Sequence, residues 1–237
     1  MFDLFSSSQS PTLQAATLDH VVLGTPIAAA VQPGQGEVLF GCGCFWGAEK
    51  GFWRLPGVVT TAVGYAGGTV SDPTYQQVCS GRTGHAEVVR VVWDRALVGL
   101  SDLLKLFWEC HDPTQGDRQG NDRGSQYRSA MFCDDPTDLA LAVASRQAYG
   151  ALLEGAGYGP ITTEISSGQP LYFAEPYHQQ YLAKPGSRPY CSAQPSGVRL
   201  GSFEGSAYLL PATVWQSYDW TLPHCVLRGD NAPIRLS

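Results

Sequence analysis

The chain has 237 residues, of which 43% are hydrophobic, so it can bury the core of one domain with long excursions. Its formal net charge is −6 and its lysines and arginines form no cluster, which excludes a nucleic-acid partner because such binding rests on grouped positive charge. The apolar stretch at residues 21–31 contains Gly24 and Pro26 and is too short to span a bilayer, so we expect no membrane partner.

The first half of the chain predicts a strand and a helix that meet at Cys44. Residues 1–36 have no sustained period and are expected to form an irregular extension that wraps the domain. Hydrophobic spacing and turn signals then predict, in order, a strand at residues 37–40, a turn at 41–43, a helix at 45–55, a strand at 58–65, a loop that includes 72–75, a strand at 85–93 and a helix capped by Ser101 that ends at Asp112-Pro113.

The second half begins with a polar loop and continues with mixed elements. The predicted order is a loop at residues 114–125, a strand at 126–132, a helix capped by Asp135 that ends near Gly155, a strand at 161–165 and a helix at 175–182. A tail anchored by Trp215, Tyr218 and Trp220 follows. Because no regular βαβ repeat or nucleotide fingerprint occurs, we predict an α+β fold: a two-layer sandwich of a mixed sheet and helices, with a ferredoxin-like core, long loops and extended termini.

The cysteines indicate the compartment. Seven cysteines make an odd count in a chain too large to need disulfide staples, which indicates mostly reduced thiols. No basic residue precedes Lys50, although targeting peptides need one. We therefore expect a cytoplasmic protein in which some thiols are reactive.

Cys44 is the candidate nucleophile. A cysteine at a helix N-terminus faces backbone N–H groups and the positive end of the helix dipole, and both stabilise a thiolate. Phe45 and Trp46 follow at once and point in different directions, so one or both can line an apolar pocket beside the sulfur. The alternative is that Cys44 is a buried small hydrophobe. Cys42 is expected to be a bystander, because Cys-x-Cys disulfides close strained rings.

A set of short motifs occurs in a fixed order around this cysteine. They are Gly43-Cys44-Phe45-Trp46-Gly47, Pro73-Thr74-Tyr75, Gly84-His85-Ala86-Glu87, His111-Asp112-Pro113, Gln119-Gly120-Asn121-Asp122, Gln126-Tyr127-Arg128-Ser129 and His178-Gln179-Gln180-Tyr181. Together they resemble the methionine sulfoxide reductase A family over roughly residues 37–191. The resemblance implies a thioredoxin-dependent reductase of the S epimer of methionine sulfoxide, free or in proteins, with a catalytic domain at 37–191 between an extension at 1–36 and a tail at 192–237.

The resemblance also implies roles for individual residues. Glu87 matches the family's acid, and a carboxyl in a largely apolar pocket has a raised pKa and can protonate the sulfoxide; otherwise it is a strand carboxylate that faces solvent. Tyr75 and Tyr127 match two tyrosines whose phenols hydrogen-bond the sulfoxide oxygen or a water. Asp122 is expected to anchor substrate amide or water, although a turn-stabilising role fits equally well. The pair that follows Cys44 would hold the S-methyl group.

Recycling is expected to need a second cysteine. Attack on the sulfoxide leaves Cys44 as a sulfenic acid, and Cys191 matches the family's resolving cysteine, so the resemblance implies a Cys44–Cys191 disulfide that thioredoxin reduces. No cofactor and no metal are expected. One branch of the family has a further recycling cysteine eight residues on, where this chain has Arg199. Cys225 could instead relay the disulfide, or be a tail thiol without a redox part. The other cysteines, Cys79, Cys110 and Cys133, are expected in the core.

Three rival interpretations remain open from the sequence. A metal site could use Cys42, Cys44, Cys79 and a histidine, although their spacing is not that of a zinc site. A cysteine hydrolase could use His85 or His178 as its base. A redox sensor could oxidise its cysteines reversibly without consuming a sulfoxide.

Overall fold

The fold is taken from a computed structural model, which describes residues 10–221 and 225–236. The strands in this part of the chain are β1 (Gln35–Cys42), β2 (Val58–Ala66), β3 (Ala86–Asp94), β4 (Arg118–Gln119), β5 (Asp122–Arg123), β6 (Ser129–Phe132), β7 (Glu164–Ser166) and β8 (Tyr172–Phe173). The α-helices are α1 (Pro11–Ala15), α2 (Phe45–Trp53), α3 (Tyr75–Cys79), α4 (Leu100–Cys110), α5 (Pro136–Gly155), α6 (Ala212–Trp215) and α7 (Cys225–Arg228). Short 3₁₀ helices lie at Ser125–Tyr127 and Tyr181–Ala183.

Six strands form one mixed sheet in the order β7-β6-β1-β3-β2-β8. All neighbours are antiparallel except β6 and β7, which are parallel. The succession β1-α2-β2-β3-α4-β6, with strand order β6-β1-β3-β2, is the ferredoxin-like arrangement. The predicted α+β sandwich with a mixed sheet and a ferredoxin-like core is therefore confirmed.

The main core lies between the helices and one face of the sheet. Alternate residues of β1 face the helices, and Phe40 stacks on Phe52 of α2 with ring centroids 4.8 Å apart. Phe40 also contacts Phe107 of α4 at 5.2 Å. This packing fixes α2 against the centre of the sheet, and thereby the position of the residue that precedes it.

The N-terminal extension covers the other face of the sheet. Ile27 and Ala15 pack on Ala62 of β2, and the Arg90 guanidinium of β3 donates hydrogen bonds to the carbonyls of Ile27 and Ala29. These bonds satisfy a buried charge that a bare sheet face would leave to solvent.

The C-terminal tail packs against α2 and α4. Tyr218 donates a 2.7 Å hydrogen bond to the Gly51 carbonyl of α2 and stacks on Trp220. Asp102 of α4 accepts hydrogen bonds from the backbone N–H groups of Leu209 and Leu210. The tail therefore closes the sandwich behind these two helices.

Several predicted elements differ from the structure. In the segment before Pro185, side-chain hydrogen bonds to distant backbone groups take the place of the expected helix. The helix predicted at 175–182 is wrong: only turns and the 3₁₀ helix at Tyr181–Ala183 occur. The Gln179 amide bonds to both backbone groups of Val63 and so takes the place of a strand partner, while Gln180 adopts a left-handed φ of 46°. The glutamine side chain thus links this segment to β2, and the segment does not form a helix.

One short helix was not predicted, and the start of another was placed wrongly. The loop predicted at 72–75 leads into α3, which begins at Tyr75 because Thr74 and Gln77 form a capping box. Ser101 is not the cap of α4: the N-cap is Gly99, two residues earlier, and the Ser101 hydroxyl accepts a hydrogen bond from the N–H of Ala207 in the tail.

Several strands and helices have other bounds than predicted. β1 is longer than the predicted 37–40 and β7 begins three residues later than the predicted strand at 161–165, while the predicted strand at 126–132 divides into the 3₁₀ helix at Ser125–Tyr127 and β6. α2 ends at Trp53 rather than at residue 55. Within the described residues, no helix has both the length and the apolar character needed to cross a membrane.

Candidate active site

Cys44 occupies the N-cap position of α2, immediately after the turn that leaves β1. The turn is tight: Gly43 has a φ of 83°, and a Cβ on it would lie 2.6 Å from the Cβ of Gln119. Only glycine fits such a backbone and such an approach. The strand-to-helix junction predicted for Cys44 is therefore present.

The surroundings of Cys44 act in opposite directions on the expected thiolate. The N–H of Trp46 hydrogen-bonds the Cys44 sulfur, which favours the thiolate, but burial and the nearby Glu87 carboxyl raise the pKa of Cys44 well above its usual value. Desolvation disfavours the charged form more than one backbone N–H favours it. Cys44 rests as a thiol, and the attacking sulfur must lose its proton when substrate is bound.

Glu87 of β3 faces the same point from the sheet. Its carboxylate accepts a 3.1 Å hydrogen bond from the N–H of Phe45, and it is only 2% exposed. Burial raises the pKa of Glu87 to about 8, against the lowering effect of that hydrogen bond. A carboxyl group that holds its proton near neutral pH therefore lies beside Cys44, and not in solvent.

The two aromatic residues after Cys44 take different positions. Phe45 is buried and packs between Tyr65 and His178. The Trp46 indole donates a 3.0 Å hydrogen bond to His178 Nδ1 and stacks on Tyr181 with centroids 3.8 Å apart. Both rings still reach the cleft beside Cys44, so they supply a rigid apolar wall.

The opposite wall carries phenols and a carboxylate. Tyr75 is fixed at the start of α3, where its N–H donates a 2.7 Å hydrogen bond to Glu175. Burial raises the pKa of both Tyr75 and Tyr127, so both remain hydrogen-bond donors. Asp122 accepts a 2.6 Å hydrogen bond from the Tyr190 hydroxyl through Oδ1, while its buried Oδ2 has no hydrogen-bond partner within the described residues. That oxygen can accept a bond from a substrate.

These groups share one open cleft. It is lined by Cys44, Phe45, Trp46, Tyr75, Glu87, Asp122, Tyr127, Tyr181, Arg188 and Tyr190. The structure brings together every predicted cleft residue and adds three that sequence reasoning missed, which are Tyr181, Arg188 and Tyr190. Signals for two of them were present, since Tyr181 ends the His-Gln-Gln-Tyr motif and Tyr190 precedes Cys191.

Cys191 lies behind the cleft and not among the residues that line it. It is 5% exposed, and a Cβ on Gly47 of α2 would lie 2.6 Å from its Sγ. The small side chain at Gly47 therefore lets Cys191 rest against the first turn of the helix that Cys44 caps. α7 begins at Cys225, but the side chain of Cys225 is outside the described part of the structure.

The remaining cysteines divide. The prediction of core positions is confirmed for Cys110 and Cys133, which are buried, and is wrong for Cys79, which is exposed at the end of α3. The reason is that α3 is short and lies at the surface, with only Val78 buried. The rival metal site, which would use Cys42, Cys44, Cys79 and a histidine, does not assemble among the described residues, because Cys42 lies instead with Cys110.

Neither candidate base for a hydrolase is poised at Cys44. The His85 ring is bonded to the N–H of Gly68 and the carbonyl of Val70. His178 Nδ1 accepts a hydrogen bond from the Trp46 indole N–H, and burial lowers the pKa of His178 to about 3. A histidine held in this way is an orienting group and a poor proton acceptor.

Comparison with known proteins assigns the chain to a family. The family model for peptide methionine sulfoxide reductase matches residues 36–203. A peptide methionine sulfoxide reductase MsrA of Azotobacter vinelandii is 58% identical over 182 residues, which cover 76% of this chain and 83% of that protein. Methionine sulfoxide reductase A of Corynebacterium diphtheriae is structurally similar at a TM-score of 0.68 and 46% identity, over 77% of this chain and 88% of that one.

A more distant solved structure agrees. Mxr1 from Saccharomyces cerevisiae in reduced form aligns at a TM-score of 0.62 and 30% identity, over 74% of this chain and 96% of that one. The fold, the buried thiol and the proton-bearing carboxyl thus fit an oxidoreductase that works on an S–O bond. The chain belongs to the peptide methionine sulfoxide reductase family, whose members reduce methionine sulfoxide.

Proposed function

We propose that this enzyme reduces methionine-S-sulfoxide, free or in proteins, by attack of Cys44 on the sulfoxide sulfur. The observation that carries the proposal is the buried Glu87, whose pKa is raised to about 8 beside the Cys44 thiol. A sulfoxide is a poor electrophile until its oxygen is protonated, and this carboxyl supplies a proton near neutral pH.

The cleft orients the substrate through opposite walls. The S-methyl group packs against Phe45 and Trp46, whose rings are held by neighbouring aromatic residues. The sulfoxide oxygen then faces Glu87 and the phenols of Tyr75 and Tyr127, which stabilise the developing charge by hydrogen bonds. The remaining buried oxygen of Asp122 accepts a bond from substrate amide or from an ordered water.

The chemical step balances within this group of residues. Glu87 gives its proton to the sulfoxide oxygen as the Cys44 sulfur bonds to the sulfoxide sulfur, and the Cys44 thiol proton replaces it on Glu87. The hydroxyl group then moves from the substrate sulfur to the Cys44 sulfur: the substrate S–O bond and the new S–S bond both break as the Cys44 S–O bond forms. Methionine leaves, and Cys44 is left as a sulfenic acid. The sulfoxide gains two electrons and the Cys44 sulfur loses two.

Recycling begins with Cys191. Its thiol attacks the Cys44 sulfenic acid, releases water and forms a Cys44–Cys191 disulfide. Among the described residues, 184–211 contain no helix or strand, so this segment can carry Cys191 around the first turn of α2. An external dithiol then reduces the disulfide, and thioredoxin is the dithiol that the family resemblance implies. The role of Cys225 stays a prediction.

The chain organisation and location follow from this mechanism as proposals. Residues 37–191 form the catalytic domain, between an N-terminal extension at 1–36 and a C-terminal tail at 192–237. The described part of the extension covers the far face of the sheet, and the described part of the tail closes the back of α2. An enzyme that needs its thiols kept reduced suits the cytoplasm.

The test is to follow each epimer of methionine sulfoxide separately, by chromatography, during incubation with the enzyme and dithiothreitol. Loss of the S epimer alone is the expected result. Loss of neither epimer, with reversible oxidation of the thiols, would favour a redox sensor and overturn the proposal.

A further inference from the structure

A second pair of thiols lies behind α2 and is not used by the mechanism above. Cys42 ends β1 and Cys110 ends α4, and both are buried. Their Sγ atoms and the Nδ1 atom of His111 all lie within 4.8 Å of one another. The two thiols are hydrogen-bonded to each other.

This pair shares an apolar cavity with the resolving cysteine. The cavity is lined by Cys42, Gly47, Ala48, Gly51, Leu106, Cys110, Cys191, Ala193, Pro195, Trp220 and Val226. Cys191 interacts electrostatically with both Cys44 and Cys42. It is therefore close enough to interact both with the catalytic cysteine and with the buried pair.

The pair is divided into a proton donor, Cys42, and a proton acceptor, Cys110. Hydrogen bonds from Cys42 and His111 lower the pKa of Cys110, whereas burial and the Cys110 charge raise the pKa of Cys42. Cys42 thus donates its proton to a Cys110 thiolate. A thiol hydrogen-bonded to a thiolate is prepared for thiol–disulfide exchange, because the proton acceptor is already in place.

We propose that Cys42 and Cys110 form a buried redox relay that takes over the disulfide from Cys44 and Cys191 and stores it as a Cys42–Cys110 disulfide. The inference rests on the proposed function, since methionine sulfoxide is the oxidant that starts the relay.

The relay balances in two exchanges. Cys42 passes its proton to Cys110 while its sulfur attacks Sγ of Cys191, so that the Cys44–Cys191 bond breaks and Cys44 leaves as a thiolate. Cys110 then attacks Sγ of Cys42, and its proton goes to the departing Cys191. The net result is one new disulfide, a thiol at Cys191 and a thiolate at Cys44, which takes over the negative charge of Cys110.

The same cluster is poorly suited to a metal ion. His111 Nδ1 is 2.7 Å from the carbonyl of Phe107, and Nε2 is 2.8 Å from the Ser129 hydroxyl. Both ring nitrogens are thus engaged, which leaves two thiols and no third ligand from this group. A disulfide between Cys42 and Cys110, in contrast, forms without breaking either hydrogen bond of His111.

The test counts the electrons that the enzyme stores. The Cys79→Ser/Cys225→Ser enzyme, which keeps the two proposed pairs and the buried Cys133, is fully reduced, freed of reductant and mixed with excess methionine-S-sulfoxide. With the relay it forms two methionines per chain, and addition of Cys42→Ala lowers this to one while the first turnover keeps its rate. One methionine before this change, or two after it, overturns the relay alone. No methionine at all overturns the proposed function as well.

A second measurement avoids core substitutions that could prevent folding. Trypsin cuts after Lys50, Lys105 and Arg118, so Cys110 is isolated from the peptide that holds Cys42 and Cys44. Mass spectrometry of the wild-type chain after oxidation by substrate should find Cys42 joined to Cys110. A metal analysis of the same sample should find no stoichiometric zinc; bound zinc together with reduced Cys42 and Cys110 would contradict the relay.

Discussion

The two sides of the first turn of α2 offer different environments for sulfur chemistry. The cleft in front of Cys44 holds a carboxyl of raised pKa and several phenols. The described residues that line the cavity behind the helix include thiols and apolar groups but no carboxylate. The comparison separates the two halves of the cycle: proton transfer to an S–O bond needs the polar side, whereas disulfide exchange needs only thiols that are shielded from other reactants.

Removal of the Cys44 thiol should have the largest effect on the rate of reduction. Cys44→Ser should abolish reduction of methionine sulfoxide, because a hydroxyl cannot replace the sulfur nucleophile. Turnover is measured as methionine formed with dithiothreitol. Cys79→Ser is the matched control, since it changes an exposed cysteine, and it should keep the wild-type rate. Reduction by Cys44→Ser at the wild-type rate would disprove the nucleophile assignment.

Loss of the resolving thiol should allow the chemical step in the cleft but prevent recycling. Cys191→Ser should form about one methionine per chain, leave a sulfenic acid on Cys44 and fail to cycle with thioredoxin. A sulfenic-acid trapping reagent followed by mass spectrometry measures that state. Cys225→Ser should cycle normally. Normal cycling of Cys191→Ser, with failure of Cys225→Ser, would transfer the resolving role to the tail.

Removal of the acid should slow chemistry without touching recycling. Glu87→Gln should lower the single-turnover rate by about 10²–10⁴-fold, which is the usual contribution of an acid catalyst. Since the acid acts in its protonated form, the wild-type rate should hold below the raised pKa of about 8 and fall as pH rises through it. The variant should lack this fall.

A matched control for that change is available on α2. Burial also raises the pKa of Glu49, to about 7, but this carboxyl bonds to Thr61 and Gln180 and does not line the cleft. Glu49→Gln should keep the single-turnover rate and its loss above pH 8. Equal rates in Glu87→Gln and the wild type would remove the acid role.

Much of the cleft in front of Cys44 could be predicted from the sequence, because its residues lie in short local motifs. Gly43 and Cys44 mark a turn and a helix start, and Glu87 falls on the strand with the clearest pattern. The resting charge of Cys44 was not accessible: helix position predicts a thiolate, whereas burial, which depends on the whole fold, decides for the thiol.

The cavity behind α2 could hardly be predicted from the sequence. Cys42 and Cys110 are 68 positions apart, and nothing in their local patterns indicates that β1 and α4 bring their sulfurs together. The helix predicted before Pro185 failed for a related reason, since the Gln179 side chain satisfies the distant backbone of Val63. Pairings of this kind follow from the strand order and not from hydrophobic period.

The smallest predicted effect concerns the tail that closes the shielded side. Tyr218→Phe removes the buried hydrogen bond to the Gly51 carbonyl and should reduce the free energy of unfolding by about 1 kcal/mol. Urea denaturation measures this change, and the rate of sulfoxide reduction should stay the same because the cleft is on the other side of α2. Tyr208→Phe removes an exposed bond to Gly201 and should have less effect on stability. If Tyr218→Phe instead slowed the chemical step at unchanged stability, the two sides of α2 would not act separately.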